Sequence, residues 1–175
     1  MTYRDRADMA GQEWRRENPG IDADAMVLIG RLAEVAQLIQ THHGAPFMAR
    51  HGLKIGEFDV LATLRRAGKP HALTPTALYA ATMLSSGGMT NRIDRLAKLG
   101  LVERRPHPED RRGTLVALTE KGMALIDGMI DAHVANKRRV ADVLSVAEQE
   151  TLCALLAKMI VAVDPDSPGF IGGPE

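Results

Sequence analysis

Two adjacent arginines, Arg111 and Arg112, occur in the polar segment 107–113, whose proline, acidic and glycine residues favour turns. An arginine side chain stays charged, binds phosphate groups, and on a protruding loop can enter the narrow minor groove of A·T-rich DNA. Asp110 can orient Arg112 by a charge-assisted hydrogen bond. These residue types make the segment a candidate DNA-binding tip.

The segment that precedes this tip has the spacing of an amphipathic helix. At about 100° per residue, Met89, Ile93 and Leu96 fall within about 60° of one another and form an apolar face. Small or hydrogen-bonding residues occupy the first turns, which would let a helix backbone approach base edges in a major groove. An ordinary helix with a solvated polar face explains this helix equally well. The candidate DNA-binding residues are Ser85, Ser86, Gly87, Thr90, Asn91, Arg95, Asp110, Arg111 and Arg112.

Charge supports DNA binding locally but not globally. The 175 residues include 22 basic and 22 acidic side chains, and the formal net charge is zero, so the overall field does not favour nucleic acid. Between residues 92 and 121, eight basic residues outnumber five acidic ones. The charge excess that is missing from the chain as a whole is therefore present in this region.

A further group of residues has the chemistry to bind an anionic aromatic molecule. Arg92 lies about 60° from the centre of the apolar helix face, and a guanidinium there needs a partner or a polar cavity. Asp59 interrupts an apolar run, and strand alternation directs one of Arg104 and Arg105 towards the protein body. The alternative is a structural ion pair of Arg92 with Asp59 or Glu57. The candidate ligand-binding residues are Trp14, Asp59, Arg92 and Arg104.

Hydrophobic periodicity and capping residues predict the elements that position these side chains. A polar N-terminal segment is followed by a helix that Asp22 or Asp24 caps and that Gly44-Ala45-Pro46 breaks or kinks. The helix over 55–66 directs Phe58, Leu61 and Leu64 inward. The later predicted elements are helices over 75–82 and from Ser85 or Ser86 to Gly100, strands over 101–105 and 114–118, and two helices that Thr119 and the Ser145–Glu148 capping box begin. The fold class is mainly α with a small β-hairpin.

Composition argues against several other classes of protein. Cys153 is the single cysteine, which excludes an internal disulfide and a multi-cysteine zinc site and suggests a reducing, cytoplasmic compartment. The charged N-terminus lacks the apolar region of a signal peptide, and no apolar run is long enough to span a membrane. The scattered histidines and the missing P-loop lysine predict neither catalysis, metal binding nor a cofactor.

The segment 85–122 resembles the recognition helix, the wing and the start of the following helix in the MarR family of bacterial regulators, through its GLVER, DRR and LTEKG elements. The resemblance implies a winged helix-turn-helix flanked by N- and C-terminal dimerisation helices. It also implies a homodimer that reads a pseudo-palindromic site in double-stranded DNA. The implied regions are an N-terminal segment (1–21), a dimerisation region (22–50 and 120–164), a DNA-binding domain (53–119) and a flexible tail (165–175).

The four candidate ligand-binding residues resemble those of the urate-responsive PecS/HucR-like branch of that family. The resemblance implies that Trp14 stacks on a urate-like effector, that Arg92 and Arg104 bind its negative charge, and that Asp59 orients an arginine or accepts a ring N–H. Such a ligand would release a repressor from DNA by population shift. Other effectors, a purely structural network, a redox response at Cys153 and a winged helix for protein contacts remain alternatives.

Overall fold

A computed structural model describes residues 5–82, 88–110 and 112–164 of the chain. The chain divides into two compact units, Met1–Gly52 and Leu53–Glu175. Ser85, Ser86, Gly87 and Arg111 of the candidate sites, and the predicted tail, lie outside the described residues.

The first unit is helical, with α1 (Arg6–Glu17), α2 (Ala23–Ile39), a π-helical turn (Gln40–Gly44) and α3 (Ala45–Arg50). Asp22 caps α2, as predicted. Pro46 does not end the helical path of the chain. It lies in the first turn of α3, where the missing N–H removes no helical hydrogen bond. The chain passes through the π-helical turn instead, which is a recognised cause of a local kink.

Helix α1 was not predicted, because its sequence is polar and has little apolar periodicity. Its packing on α2 explains why it forms. Gly11 is buried, and a side chain there would overlap Val27 of α2. Arg31 of α2 pairs with Asp5 at 2.6 Å, and Asp5 also caps α1 by accepting from the backbone N–H of Asp8.

The second unit contains a helical region and a small sheet. Its elements are α4 (Ile55–Arg66), β1 (Ala72–Leu73), α5 (Pro75–Ala81), α6 (Met89–Lys98), β2 (Val102–Pro106), β3 (Thr114–Leu118), α7 (Glu120–Ala141) and α8 (Val146–Val163). The three strands are antiparallel in the order β1-β3-β2, with Arg104 opposite Val116. The two-residue strand β1 was not predicted, since so short a strand has no readable alternation; its pairing with β3 creates it.

The core of the second unit matches the predicted inward faces. Phe58, Leu61 and Leu64 of α4 are buried. They share the interior with apolar residues from α5, α6, β3 and α7, namely Leu78, Met89, Ile93, Leu96, Val116, Ile126 and Met129.

Local signals fix the ends of these elements. The hydroxyls of Thr74, Thr119 and Ser145 accept the capping hydrogen bonds of α5, α7 and α8. Gly68 and Gly100 follow α4 and α6 with positive φ angles, as glycine favours beyond a helix C-terminus.

Helix α8 contrasts with this core. None of its described residues is buried, although it carries leucine, isoleucine and valine throughout. The described helices include none with the length and hydrophobicity of a membrane span.

Candidate nucleic-acid interface and anion site

Helix α6 has the two faces that its sequence predicts. Met89, Ile93 and Leu96 are buried, whereas Thr90 and Asn91 are exposed in the first turn. Gly88 precedes the helix with φ of 91°, a conformation that other residues rarely adopt. The exposed face therefore presents small polar side chains at the helix N-terminus, as a recognition helix requires.

Arg95 lies at the edge of this face and is tied to α4. Its Nη1 pairs with the carboxylate of Glu57, whose side chain is 2% exposed. Glu57 also accepts a hydrogen bond from the backbone N–H of Lys54 at 2.8 Å, which completes the cap of α4. The Arg95 side chain is still 38% exposed. The Arg95 guanidinium is therefore accessible to a binding partner, but its position is restrained by the ion pair with Glu57.

The wing between β2 and β3 is held by hydrogen bonds from its own side chains. Nδ1 of His107 accepts from the backbone N–H groups of Glu109 and Asp110, at 3.2 Å each. Oδ1 of Asp110 accepts from the backbone N–H of Arg112 at 2.9 Å. Asp110 thus orients Arg112 through the main chain, whereas the sequence suggested a bond to its guanidinium. The Arg112 residue is exposed, so its charge can reach a partner.

Arg92 points from α6 towards α4. A side chain at Gly56, a buried residue of α4, would overlap the Arg92 guanidinium. The Nη1 atom of Arg92 is buried, and it has no hydrogen-bond partner among the described residues. Because Glu57 pairs with Arg95, the alternative of an Arg92–Glu57 ion pair is not the arrangement observed. The structure therefore contains a partly buried guanidinium with unused donor capacity.

Asp59 lies one turn beyond Gly56 on α4 and is half-buried. Burial raises the pKa of its carboxyl group, while the nearby charges of Lys137, Arg92 and Arg66 oppose that rise. The structure thus brings Asp59 and Arg92 into one electrostatic environment, together with Lys137 of α7. Burial and the charge of Lys137 also lower the pKa of His133, whose ring stacks on Phe58 with centroids 4.3 Å apart.

The other two candidate ligand residues are placed differently. Arg104 of β2 pairs with Asp94 of α6 at 2.8 Å, and both side chains are nearly half exposed. Arg105 pairs with Glu103 on its own strand, so Arg104 is the one that turns to the helix, as alternation allows. Trp14 lies on α1 in the first unit and is 45% exposed. Within the second unit, the charges of Asp59 and Arg92 therefore interact, whereas Arg104 pairs with Asp94.

Comparison with known proteins identifies the family. A family model described as MarR family matches residues 51–113. The HTH-type transcriptional regulator PecS of Dickeya dadantii is 38% identical over 148 residues, which cover 85% of this chain and 89% of PecS. The chain belongs to the MarR family. Its relatives are DNA-binding transcriptional regulators, which supports the expectation that it is not an enzyme.

Two solved structures extend this MarR family assignment. A cysteine-to-serine variant of MarR from Escherichia coli, complexed with operator DNA, is 26% identical with a TM-score of 0.67; the match covers 84% of this chain and 97% of that one. BpsR of Bordetella bronchiseptica, whose DNA binding is regulated by 6-hydroxynicotinic acid, is 27% identical with a TM-score of 0.67; it covers 75% of this chain and 91% of BpsR. The mainly helical winged-helix fold predicted for this MarR family chain is confirmed.

Sequence reasoning missed several residues that shape these sites. Gly56 was not singled out, because its role depends on the packing of α4 on α6. The Arg92 side chain occupies the space that a side chain at Gly56 would need. Lys137 was missed since it belongs to a distant helix. His107 was regarded as a turn residue, and its position two residues before Glu109 was the available signal.

Proposed function

We propose that this MarR family protein is a homodimeric, cytoplasmic, sequence-specific repressor that a small anionic aromatic ligand, such as urate, releases from a pseudo-palindromic operator. The main support for a ligand is the buried Nη1 atom of Arg92, which has no hydrogen-bond partner among the described residues. A buried charged donor without a partner costs free energy, and an anion that bound it would recover this cost.

The surroundings of Arg92 favour a planar anion. Asp59 is half-buried in the same charge environment as Arg92, and its carboxylate can accept a ring N–H of a ligand or orient the guanidinium. Arg104 would supply a second guanidinium after leaving Asp94, and Trp14 a stacking surface. The regulation of BpsR by 6-hydroxynicotinic acid, an aromatic acid, supports this ligand class.

DNA is proposed to contact the exposed face of α6 and the wing. Thr90 and Asn91 would meet base edges in the major groove, and Arg112 the minor groove beside it. Ser85, Ser86, Gly87, Arg95, Asp110 and Arg111 are proposed to complete this surface. The E. coli MarR complex with operator DNA supports DNA as the partner.

Dimerisation is proposed to cover the exposed apolar side chains of α2 and α8. In α2, Leu28 and Ile29 are each 54% exposed, and in α8 Leu155 is 56% and Ile160 60% exposed. Apolar patches of this kind on a water-soluble surface mark interaction sites. A two-fold dimer would present two copies of α6 to two half-sites.

Coupling between the ligand and DNA would follow from shared elements. Arg92 belongs to the recognition helix and Arg104 to the first wing strand, so a ligand bound by both would favour one relative position of helix and wing. Its effect is limited to its differential affinity for the two states.

The ligand is tested by calorimetric titration of urate and 6-hydroxynicotinate, together with gel-shift release of a selected operator. Arg92→Ala should weaken binding at least about tenfold, since it removes a charge-assisted contact. Lys98→Ala, an exposed charge removed from the same helix, is the matched control. If millimolar urate releases no DNA and Arg92→Ala leaves every ligand affinity unchanged, the ligand assignment is wrong.

The DNA surface is tested in the same assay by salt. Affinity for the operator should fall steeply with salt because phosphate contacts release counterions. Arg112→Ala should lower the slope by about one, whereas Arg139→Ala on α7 should not. An affinity independent of salt would instead favour a winged helix that serves protein contacts.

A redox response at Cys153 is the second candidate function. The Cys153 thiol is exposed on α8 and is therefore accessible to an oxidant. If peroxide abolishes DNA binding by the wild type but not by Cys153→Ser, this alternative is supported. If peroxide affects the two proteins equally, the alternative is excluded.

A further inference from the structure

His107 occupies the point where the chain leaves β2 and enters the wing tip. The residue is only partly exposed to solvent. Nδ1 lies 3.2 Å from the backbone nitrogen of Glu109 and 3.2 Å from that of Asp110. One ring atom therefore accepts hydrogen bonds from the second and third residues that follow it.

This arrangement is the one by which asparagine and aspartate stabilise turns. Their side-chain oxygen accepts from backbone N–H groups two or three residues ahead. Nδ1 of histidine stands at the same distance from Cβ as that oxygen, so His107 can replace it. The role requires the tautomer that carries its proton on Nε2, because Nδ1 must offer a lone pair.

The other side of the tip is held in the same manner. Asp110 accepts from the backbone N–H of Arg112, and its carbonyl oxygen accepts from the N–H of Gly113 at 2.9 Å. The backbone N–H of His107 donates to the carbonyl of Gly113 at 3.0 Å. A Cβ at Gly113 would lie 2.8 Å from Cβ of His107, which explains the glycine. His107 and Asp110 therefore link the two ends of the tip.

We infer that His107 is a positioning residue for DNA binding, which acts by fixing the wing backbone that carries Arg112. The inference rests on the proposed contact of the wing with DNA. Without the Nδ1 acceptor, the N–H groups of Glu109 and Asp110 turn to water, and the tip samples more conformations. Ordering the tip on DNA then costs conformational entropy, and the affinity falls.

The test compares two His107 variants with the wild type against a selected operator by fluorescence anisotropy. His107→Asn keeps the acceptor and should bind within about twofold of the wild type. His107→Phe keeps the ring but lacks the acceptor and should bind about five- to tenfold more weakly, the size of one or two lost net hydrogen bonds. Hydroxyl-radical footprints should show that only His107→Phe loses protection of the minor groove beside the recognition helix.

A double variant shows whether His107 acts through Arg112. His107→Phe combined with Arg112→Ala should bind no more weakly than Arg112→Ala alone, because the two changes remove one contact. Thermal melts of all variants should agree within a few degrees, since the tip lies outside the buried core.

The outcomes separate this inference from the proposed function. If His107→Phe binds like the wild type while Arg112→Ala is weak, the positioning role is wrong and the wing contact stands. If His107→Asn is as weak as His107→Phe, the acceptor is not what matters, which also overturns the inference. If Arg112→Ala itself has no effect, the proposed wing contact fails.

Discussion

The winged-helix region (α4 to β3) and helix α8 belong to the same unit but differ in what stabilises them. In the former, Leu61, Leu64 and Leu78 are completely buried. In α8, Val163 is 84% exposed and none of the described residues is buried. Both regions are rich in apolar residues, so composition does not distinguish them. The winged-helix region therefore completes its core within one chain, whereas the apolar side chains of α8 are suited to packing against another protein surface.

Truncating one leucine in each region should affect stability most and tests this contrast directly. Leu61→Ala should lower the free energy of unfolding by about 2–5 kcal/mol, from lost burial and the cavity left behind. This loss should not depend on protein concentration. Leu155→Ala should lower the free energy of unfolding by less than this at low protein concentration. Its effect should increase at concentrations where the dimer is populated.

Urea unfolding at protein concentrations that span a tenfold range provides the measurement. Equal, concentration-independent losses for both variants would contradict the contrast, because they would show that α8 is buried within one chain.

A charge on the apolar face of α8 should break the proposed assembly. Leu155→Glu would place a carboxylate in the dimer interface and is expected to yield monomers in light scattering. Operator affinity should fall by about 100-fold, since two linked half-site contacts become independent. Ala154→Glu adds the same charge about 100° away around the helix and serves as the control. A dimer that survives Leu155→Glu would place the interface elsewhere.

A smaller change in stability is expected at Asp59, a half-buried acid within the winged-helix region. Burial raises the pKa of Asp59 above the ordinary value of an aspartate, so the folded state binds this proton more tightly than the unfolded state. Stability is therefore lost as pH rises from the unfolded pKa through the folded one. Asp59→Asn should raise the melting temperature by a few degrees at neutral pH, and the gap should narrow on acidification.

Thermal melts across this pH range compare Asp59→Asn with Asp127→Asn, an exposed acid that pairs with Arg65 at 2.6 Å on the surface. The control should show little change or a small loss, because surface ion pairs contribute little. A wild type more stable than Asp59→Asn at neutral pH would mean that the attraction of Asp59 to the charges of Lys137 and Arg92 outweighs the cost of its burial.

Much of the fold follows from short-range signals. The bounds of α4 and β3 agree with those predicted, and Thr119 and Ser145 cap the helices they were expected to cap. Such caps act within one turn, so the sequence contains all the information they require. The same holds for the apolar face of α6, which depends only on helical period.

Elements that depend on a partner could not be predicted in this way. Helix α1 has a polar sequence and forms against α2, where Gly11 allows close approach. Strand β1 consists of two residues and exists through its pairing with β3. Neither leaves a periodic signal, because tertiary contacts override weak local preferences.

The family, the order of the main elements, and the residue types that could bind DNA or an anion all follow from the amino-acid sequence. The tertiary structure decided how the charges pair. Glu57 binds Arg95 and leaves Arg92 beside Gly56, while Arg104 binds Asp94. The physical reason is that an ion pair depends on the distance and burial of both groups, which the packing of α4, α6 and β2 sets and which spacing along the chain does not encode.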